Sequence, residues 1–298
     1  MSPKTAHNAA DDSAKTTPAW TPLQRAGAIA GGLLIAGTWL FLVLTRPGDW
    51  ESVGGSWQAV VTLLGYLGGA VLLLCATVPR LPVRTVSVIP VAIALNIVVG
   101  QIVGTMTPLP LYLDSLGTAL VAALGGPVAG LATGALSSVV WGVFNPSALP
   151  FAAGSAVTGL LIGWAVRRGV LRNIVLTAVV GALIGVVTAM IAAPVAAFVY
   201  GGTSGLGTGA VVSLFREMGN SLLGSVTLQS ILSDPLDKAL VMLAVWGTVK
   251  ALPKRTLRAF RAPDAVPAVR GRGADAAGAA GTAGASGTAG AVDGGAGA

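Results

Sequence analysis

Between Thr85 and Val166 only one residue, Asp114, carries an Asp, Glu, Lys or Arg side chain. A stretch that long and that poor in charge cannot dress a surface facing water. Over the whole chain apolar residues reach 54% and charged residues 10%, with a mean hydropathy of +0.80. Soluble domains carry about 25% charged residues. The solvent for most of this chain is therefore lipid. The 42 glycines agree with that, because Gly is common where membrane helices approach closely.

Breaks in the apolar pattern divide the chain into runs. They cover 26–44, 57–78, 86–104, 112–125, 127–143, 149–166, 173–200 and 236–252. A helix needs about 20 residues to cross a bilayer at 1.5 Å rise per residue. The run 112–125 is short, so protein or a wet cavity must shield its start. Gly125-Gly126-Pro127 reads as a tight turn between two helices. The stretch 210–231 has polar residues at helical spacing and carries Arg216 and Glu217. It reads as one amphipathic helix folded over the outer side of the bundle.

Basic residues orient the chain. Arg80 and Arg84, then Arg167, Arg168 and Arg172, then Lys250, Lys254, Arg255, Arg258 and Arg261 mark three cytoplasmic segments. Both termini then fall inside. The net charge of +7 is read as topology and contact with anionic headgroups in the bilayer, and not as nucleic-acid binding. Four segments result. They are a polar, disordered N-tail (1–24), two N-terminal spans (25–80), a six-helix core (85–255) and a basic, then Ala/Gly-rich disordered tail (256–298).

The residue inventory narrows the chemistry. His7, in the polar tail, is the only histidine, and Cys75 the only cysteine. No cysteine pair is available for a thiolate metal site, so neither a metal nor another cofactor is expected. Gly202-Thr203-Ser204-Gly205 fits the short pattern of an intramembrane serine protease, but no histidine follows to serve as its base. No phosphate-binding loop occurs, so the chain does not hydrolyse ATP on its own. It is not read as an enzyme.

Asp114 is the leading site candidate, because an ionisable group in a span usually faces a cavity or a partner. Capping the helix that starts beside it is the alternative. Asn96 and Gln101 either bind a ligand or join helices. Tyr112, Trp141 and Asn145 lie at the outer ends of their runs, as pocket lining or as interface anchors. Gly126, Gly130, Gly134 and Ser138 share one face, and Ala92, Asn96, Gly100 and Gly104 another. Either face packs inside the fold or docks a partner.

Three stretches resemble the substrate-specific (S) components of energy-coupling factor (ECF) transporters. The first runs from Ala94-Leu95-Asn96 to Pro110-Leu111-Tyr112-Leu113-Asp114-Ser115-Leu116-Gly117-Thr118. The second is Leu124-Gly125-Gly126-Pro127-Val128-Ala129-Gly130. The third is Ser233-Asp234-Pro235-Leu236-Asp237-Lys238, with Leu252-Pro253 after the last apolar run. The resemblance covers about 86–255. It implies an all-α integral membrane protein with a six-helix S-component-like bundle, here with two additional N-terminal transmembrane helices. It also implies a multi-pass protein of the bacterial cell membrane that captures a vitamin or related micronutrient near the outer face. Its implied partners are a membrane coupling (T) subunit and two ATPase subunits. The pocket positions matching the family are Tyr112, Asp114, Trp141, Asn145, Arg216, Glu217 and Asn220. The family's docking stripe falls at Ala92, Asn96 and Gly100, where Asn96 departs from its Ala-x-x-x-Ala spacing. The competing reading is a membrane-embedded sensor or scaffold that binds a small molecule without transporting it.

The loop assignment has a direct check. In a Cys75→Ala background, cysteines placed at 105–111 and at 203–209 should react with an impermeant thiol reagent from outside the cell. Those at 80–84 and 167–172 should not. Reaction of 203–209 from the cytoplasm only would undo the parity argument.

Overall fold

Capping side chains decide where several helices begin. In a computed structural model describing residues 20–47, 50, 56–106, 108, 110–202 and 206–260, Thr21 forms a capping box with Gln24. Ser56, Asn173 and Ser221 likewise accept hydrogen bonds from the first backbone N–H groups of their helices. The tails up to residue 19 and from residue 261, which include His7, lie outside the described residues, as do Thr203, Ser204 and Gly205.

Among the described residues every regular element is a helix. These are α1 (Pro22–Thr45), α2 (Trp57–Thr77), α3 (Val83–Met106), α4 (Leu116–Gly125), α5 (Pro127–Phe144), α6 (Ala152–Arg167), α7 (Ile174–Val199), α8 (Leu206–Glu217), α9 (Leu222–Ala251) and α10 (Lys254–Phe260). Short 3-10 turns cover Val78–Arg80, Pro146–Phe151 and Val170–Arg172. Among the described residues six segments are long and apolar enough to cross a membrane: Pro22–Thr45, Trp57–Arg80, Val83–Gly104, Pro127–Phe144, Pro146–Arg167 and Ile174–Val199. The chain is thus a multi-pass membrane protein by helix length and composition. The 10-residue α4 is too short to span, and α9 is long but carries Asp234, Asp237 and Lys238 near its middle.

Two sequence expectations change here. The amphipathic stretch 210–231 is not one helix. α8 ends at Glu217, Gly219 takes a left-handed conformation (φ 89°), and Ser221 starts α9. Gly after a helix end and Ser at the next N-cap form a stop-and-start signal. The second change is the break between the stretch 210–231 and the run 236–252, which contains Pro235. Pro235 sits inside α9 instead. Proline is tolerated within membrane helices where neighbours compensate the lost hydrogen bond. Gly185 of α7 makes that approach possible, since a Cβ there would collide with the backbone of Asp234 and Pro235.

Small residues draw the helices together. A Cβ on Gly130 would strike the backbone of Gly159, and one on Gly134 the backbone of Ser155, so α5 and α6 touch main chain to main chain. Ala92 of α3 meets Gly117 of α4 in the same way, and Gly100 is covered by Trp141 and Asp114. Ala92, Gly100, Gly130 and Gly134, expected as possible docking positions, are therefore all used inside the fold. The residues left exposed on α3 include the larger Val91, Leu95, Val98 and Ile102.

α1 and α2 form a hairpin with the same chemistry, Gly31 against Gly69 and Gly65 against Thr38. Its indoles and phenol tie it to the rest. Trp39 donates to the Ile191 carbonyl (3.0 Å), Trp50 to that of Pro146 (2.9 Å) and Tyr66 to that of Pro150 (3.3 Å).

Gly134→Leu should fail to fold or lose well over the ~1–3 kcal/mol typical of overpacking, because its neighbour is backbone that cannot rotate away. Gly32 has nothing near its Cβ position. Gly32→Leu should therefore be tolerated. Thermal unfolding in detergent reads both, and equal effects would contradict the packing described.

Candidate functional site

Asn96 shows how the site is framed. It is fully buried on α3. Its Nδ2 donates to Thr118 Oγ1 (2.7 Å) and Ser137 Oγ (3.1 Å), and its Oδ1 accepts from the N–H groups of Gly117 (2.7 Å) and Thr118 (3.3 Å). It caps α4 from a neighbouring helix and links α3, α4 and α5. Ser115, at the N-cap position of α4, makes no side-chain cap bond. The sequence left Asp114 as a possible cap, but Asn96 serves the first N–H groups of α4.

The chain just before α4 is irregular, and Leu113 adopts a positive φ of 51°. Asp237 of α9 holds it. Its Oδ1 accepts from the N–H groups of Tyr112 (3.0 Å) and Leu113 (2.7 Å). Its Oδ2 lies 2.5 Å from Lys238 Nζ, and Lys238 lies 3.5 Å from Asp114 Oδ1. The side chains of Asp237 and Lys238 are 2% and 8% exposed, while that of Asp114 is 29% exposed. Asp237 is thus a structural anchor, and Asp114 keeps access to open space.

That space is a cavity of about 190 Å³. Its volume corresponds to roughly a dozen waters or a molecule with a similar number of non-hydrogen atoms. α3 contributes Gly100, Gln101 and Gly104, and the irregular segment adds Tyr112, Asp114 and Ser115. Ser138, Trp141 and Asn145 come from the end of α5, with Ser147 and Phe151 just beyond. Ser155 and Thr158 of α6, Thr188 of α7, and Gln229, Ser230, Asp234 and Lys238 of α9 complete the polar lining. The cavity lies toward the end of the bundle opposite Arg80 and Arg167. Arg167 itself packs on the α4–α5 turn at Gly126.

Several lining groups already satisfy one another. Ser138 and Ser155 hydroxyls pair at 2.9 Å, and Thr158 and Thr188 at 3.0 Å. Gln229 donates to Ser233 (2.7 Å), which donates to Asp234 (3.1 Å). A second hollow, about 500 Å³, lies between α2 and the end of α5. Val60, Leu63, Val143 and Leu149 give it a largely apolar wall, so it has size without the polar groups that fix a ligand.

Five of the nine sequence candidates for binding line the cavity: Gln101, Tyr112, Asp114, Trp141 and Asn145. Asn96 is spent on structure. Arg216, Glu217 and Asn220 are exposed at the end of α8, and none lines the cavity. Asn220 caps that end, donating from Nδ2 to the Phe215 carbonyl (3.0 Å). Sequence reasoning did not assign the polar face of α9. Gln229, Ser233, Asp237 and Ser230, Asp234, Lys238 recur every four residues, a pattern visible in the sequence once the helix is known to be continuous.

Among the described residues no group of His, Cys, Asp and Glu is arranged to hold a metal. Comparisons with protein-family models, curated proteins and solved structures find no match for this chain.

Removing one partner of a buried ion pair costs about 3–5 kcal/mol. Asp237→Ala should reach that range, since it also orphans two backbone N–H groups. Asp114→Ala should cost much less, because Asp114 is farther from Lys238 and partly exposed. Equal unfolding midpoints for the two variants would refute this division of roles.

Proposed function

We propose that this chain is the membrane substrate-binding subunit of an ECF-type, ATP-driven importer for a vitamin or related micronutrient. The observation that carries the reading is the meeting of separate motifs at one cavity. The segment from Pro110 to Thr118 and the stretch Ser233–Lys238, each quoted above for its resemblance to S components, are joined there through Asp237 and Lys238. The resemblance rests on these motifs and their order alone. With α4 and α9 counted as crossings, the bundle has six core helices and the α1–α2 hairpin is additional. Both termini lie in the bacterial cytoplasm, and the cavity faces outward, where a nutrient arrives. A chain without a phosphate loop borrows its energy, so a coupling subunit and two ATPases are the proposed partners. With the small-residue faces used internally, docking falls to a lipid-facing surface.

Co-expression with a coupling subunit and its ATPases tests this. The ATPases should co-purify with the chain, and reconstituted vesicles should accumulate substrate only with ATP. The isolated chain should bind substrate without hydrolysing ATP. Ligand binding with no ATPase association under any condition would favour the sensor or scaffold reading instead. Strong ATP hydrolysis by the isolated chain would defeat both.

A further inference from the structure

The cavity's charges do not balance. Asp114 and Asp234 line it with two carboxylates and Lys238 with one ammonium, and Asp237, buried beside Lys238, adds a third carboxylate against that ammonium. Among the described residues lining the cavity there is no other Asp, Glu, Lys, Arg or His. Lys238 is also committed. Its Nζ sits 2.5 Å from Asp237 and 3.5 Å from Asp114, so it neutralises the wall and does not reach out for an anion. Asp234, one turn earlier on the same face of α9, projects its carboxyl at the cavity with one neutral donor, Ser233, on Oδ1. One ammonium shared among three carboxylates leaves an excess of negative charge in a bundle whose surroundings are apolar, where charge imbalance is costly.

An independent feature points the same way. The hydroxyl of Ser115, next to Asp114, is buried (4% exposed) and has no hydrogen-bond partner within the protein. Ser115 lines the cavity. Buried polar groups are normally paired, so an unpaired one at a cavity wall marks where a ligand polar group belongs. The start of α4 is nearby and its dipole would favour an anion. Its N–H groups at Gly117 and Thr118 are already taken by Asn96. Trp141, Tyr112 and Phe151 add aromatic surface to the lining, and aromatic faces attract cations.

We propose that the ligand of this cavity is a small organic cation bearing N–H donors on a flat ring system, held by Asp114 and Asp234 and flanked by Trp141. This rests on the reading that the cavity is the substrate site. The ligand supplies the positive charge that the wall lacks, and Lys238 offsets part of the repulsion between the carboxylates when the site is empty.

The test uses three probes of matched shape and different charge: benzylammonium, benzyl alcohol and benzoate. Each is titrated calorimetrically into the full chain purified in detergent, near neutral pH and at millimolar concentration. Benzylammonium should bind at least roughly tenfold more tightly than benzyl alcohol, and benzoate should not bind. A charged hydrogen bond corresponds to roughly ten- to a hundredfold in affinity. Asp234→Asn should remove that much for benzylammonium and leave benzyl alcohol unchanged. Should Asp234→Asn fail to fold, the wild-type series decides alone. Benzoate binding as well as benzylammonium, equal affinity for all three, or binding of none overturns the proposal. Charge preference and importer assembly are separate readouts. A chain that prefers benzoate yet co-purifies with ATPases sinks only the cation assignment. A chain that selects benzylammonium yet never meets an ATPase sinks only the importer.

Discussion

The ten residues of α4 reach about 15 Å, half the roughly 30 Å of a bilayer's hydrocarbon core. The backbone just before it, from Pro110 to Ser115, is irregular. Non-helical backbone at that depth persists only where protein or a wet cavity satisfies its polar groups. The rest of the arrangement answers this requirement. Asn96 takes the N–H groups that open α4, and Asp237 takes those of Tyr112 and Leu113. Lys238 lies beside Asp237 and is its ion-pair partner. The cavity opens beside this segment, with Tyr112, Asp114 and Ser115 in its lining.

Close helix contact elsewhere makes this tolerable. α5 and α6 meet at Gly130, Gly134 and Gly159, and α7 meets α9 at Gly181 and Gly185. Those contacts fix the helix ends around the opening. The hydroxyl pairs Ser138–Ser155 and Thr158–Thr188 then line the opening with polarity but no charge. The ionisable groups are confined to one side of it, on α9 and the segment before α4.

Much of this could be read from the sequence, because lipid imposes a strong pattern. The spans near 26–44, 57–78, 86–104, 127–143, 149–166 and 173–200 correspond to helices within a few residues of their ends. Asp114 stood out because nothing else in its neighbourhood is charged, Gln101 as an amide inside an apolar run, and Tyr112, Trp141 and Asn145 by their position at the outer ends of runs. The reading failed where polarity and helix coexist. On α9 the Asp and Lys residues and Pro235 look like a loop, yet they form one inward face of a continuous helix. Met218-Gly219-Asn220-Ser221 carried the real boundary, by capping chemistry that amphipathic periodicity masked. Arg216 and Glu217 were drawn toward a pocket only by analogy. Asn96 could not be assigned from sequence, since its partners lie some 20 to 40 residues away on other helices.

The α1–α2 hairpin bears on how the protein is made. Trp50 and Tyr66 close onto carbonyls of Pro146 and Pro150, 96 and 84 residues later in the chain. A ribosome adding about 5–20 residues per second needs roughly 5–20 s to supply them. During that interval the hairpin waits in the membrane with its indole and phenol unanswered. The turn they grip carries Ser147, Ala148 and Phe151, which form part of the cavity wall. The α1–α2 hairpin therefore completes the pocket only once the turn before α6 has been made, which makes the order of insertion part of the site's construction.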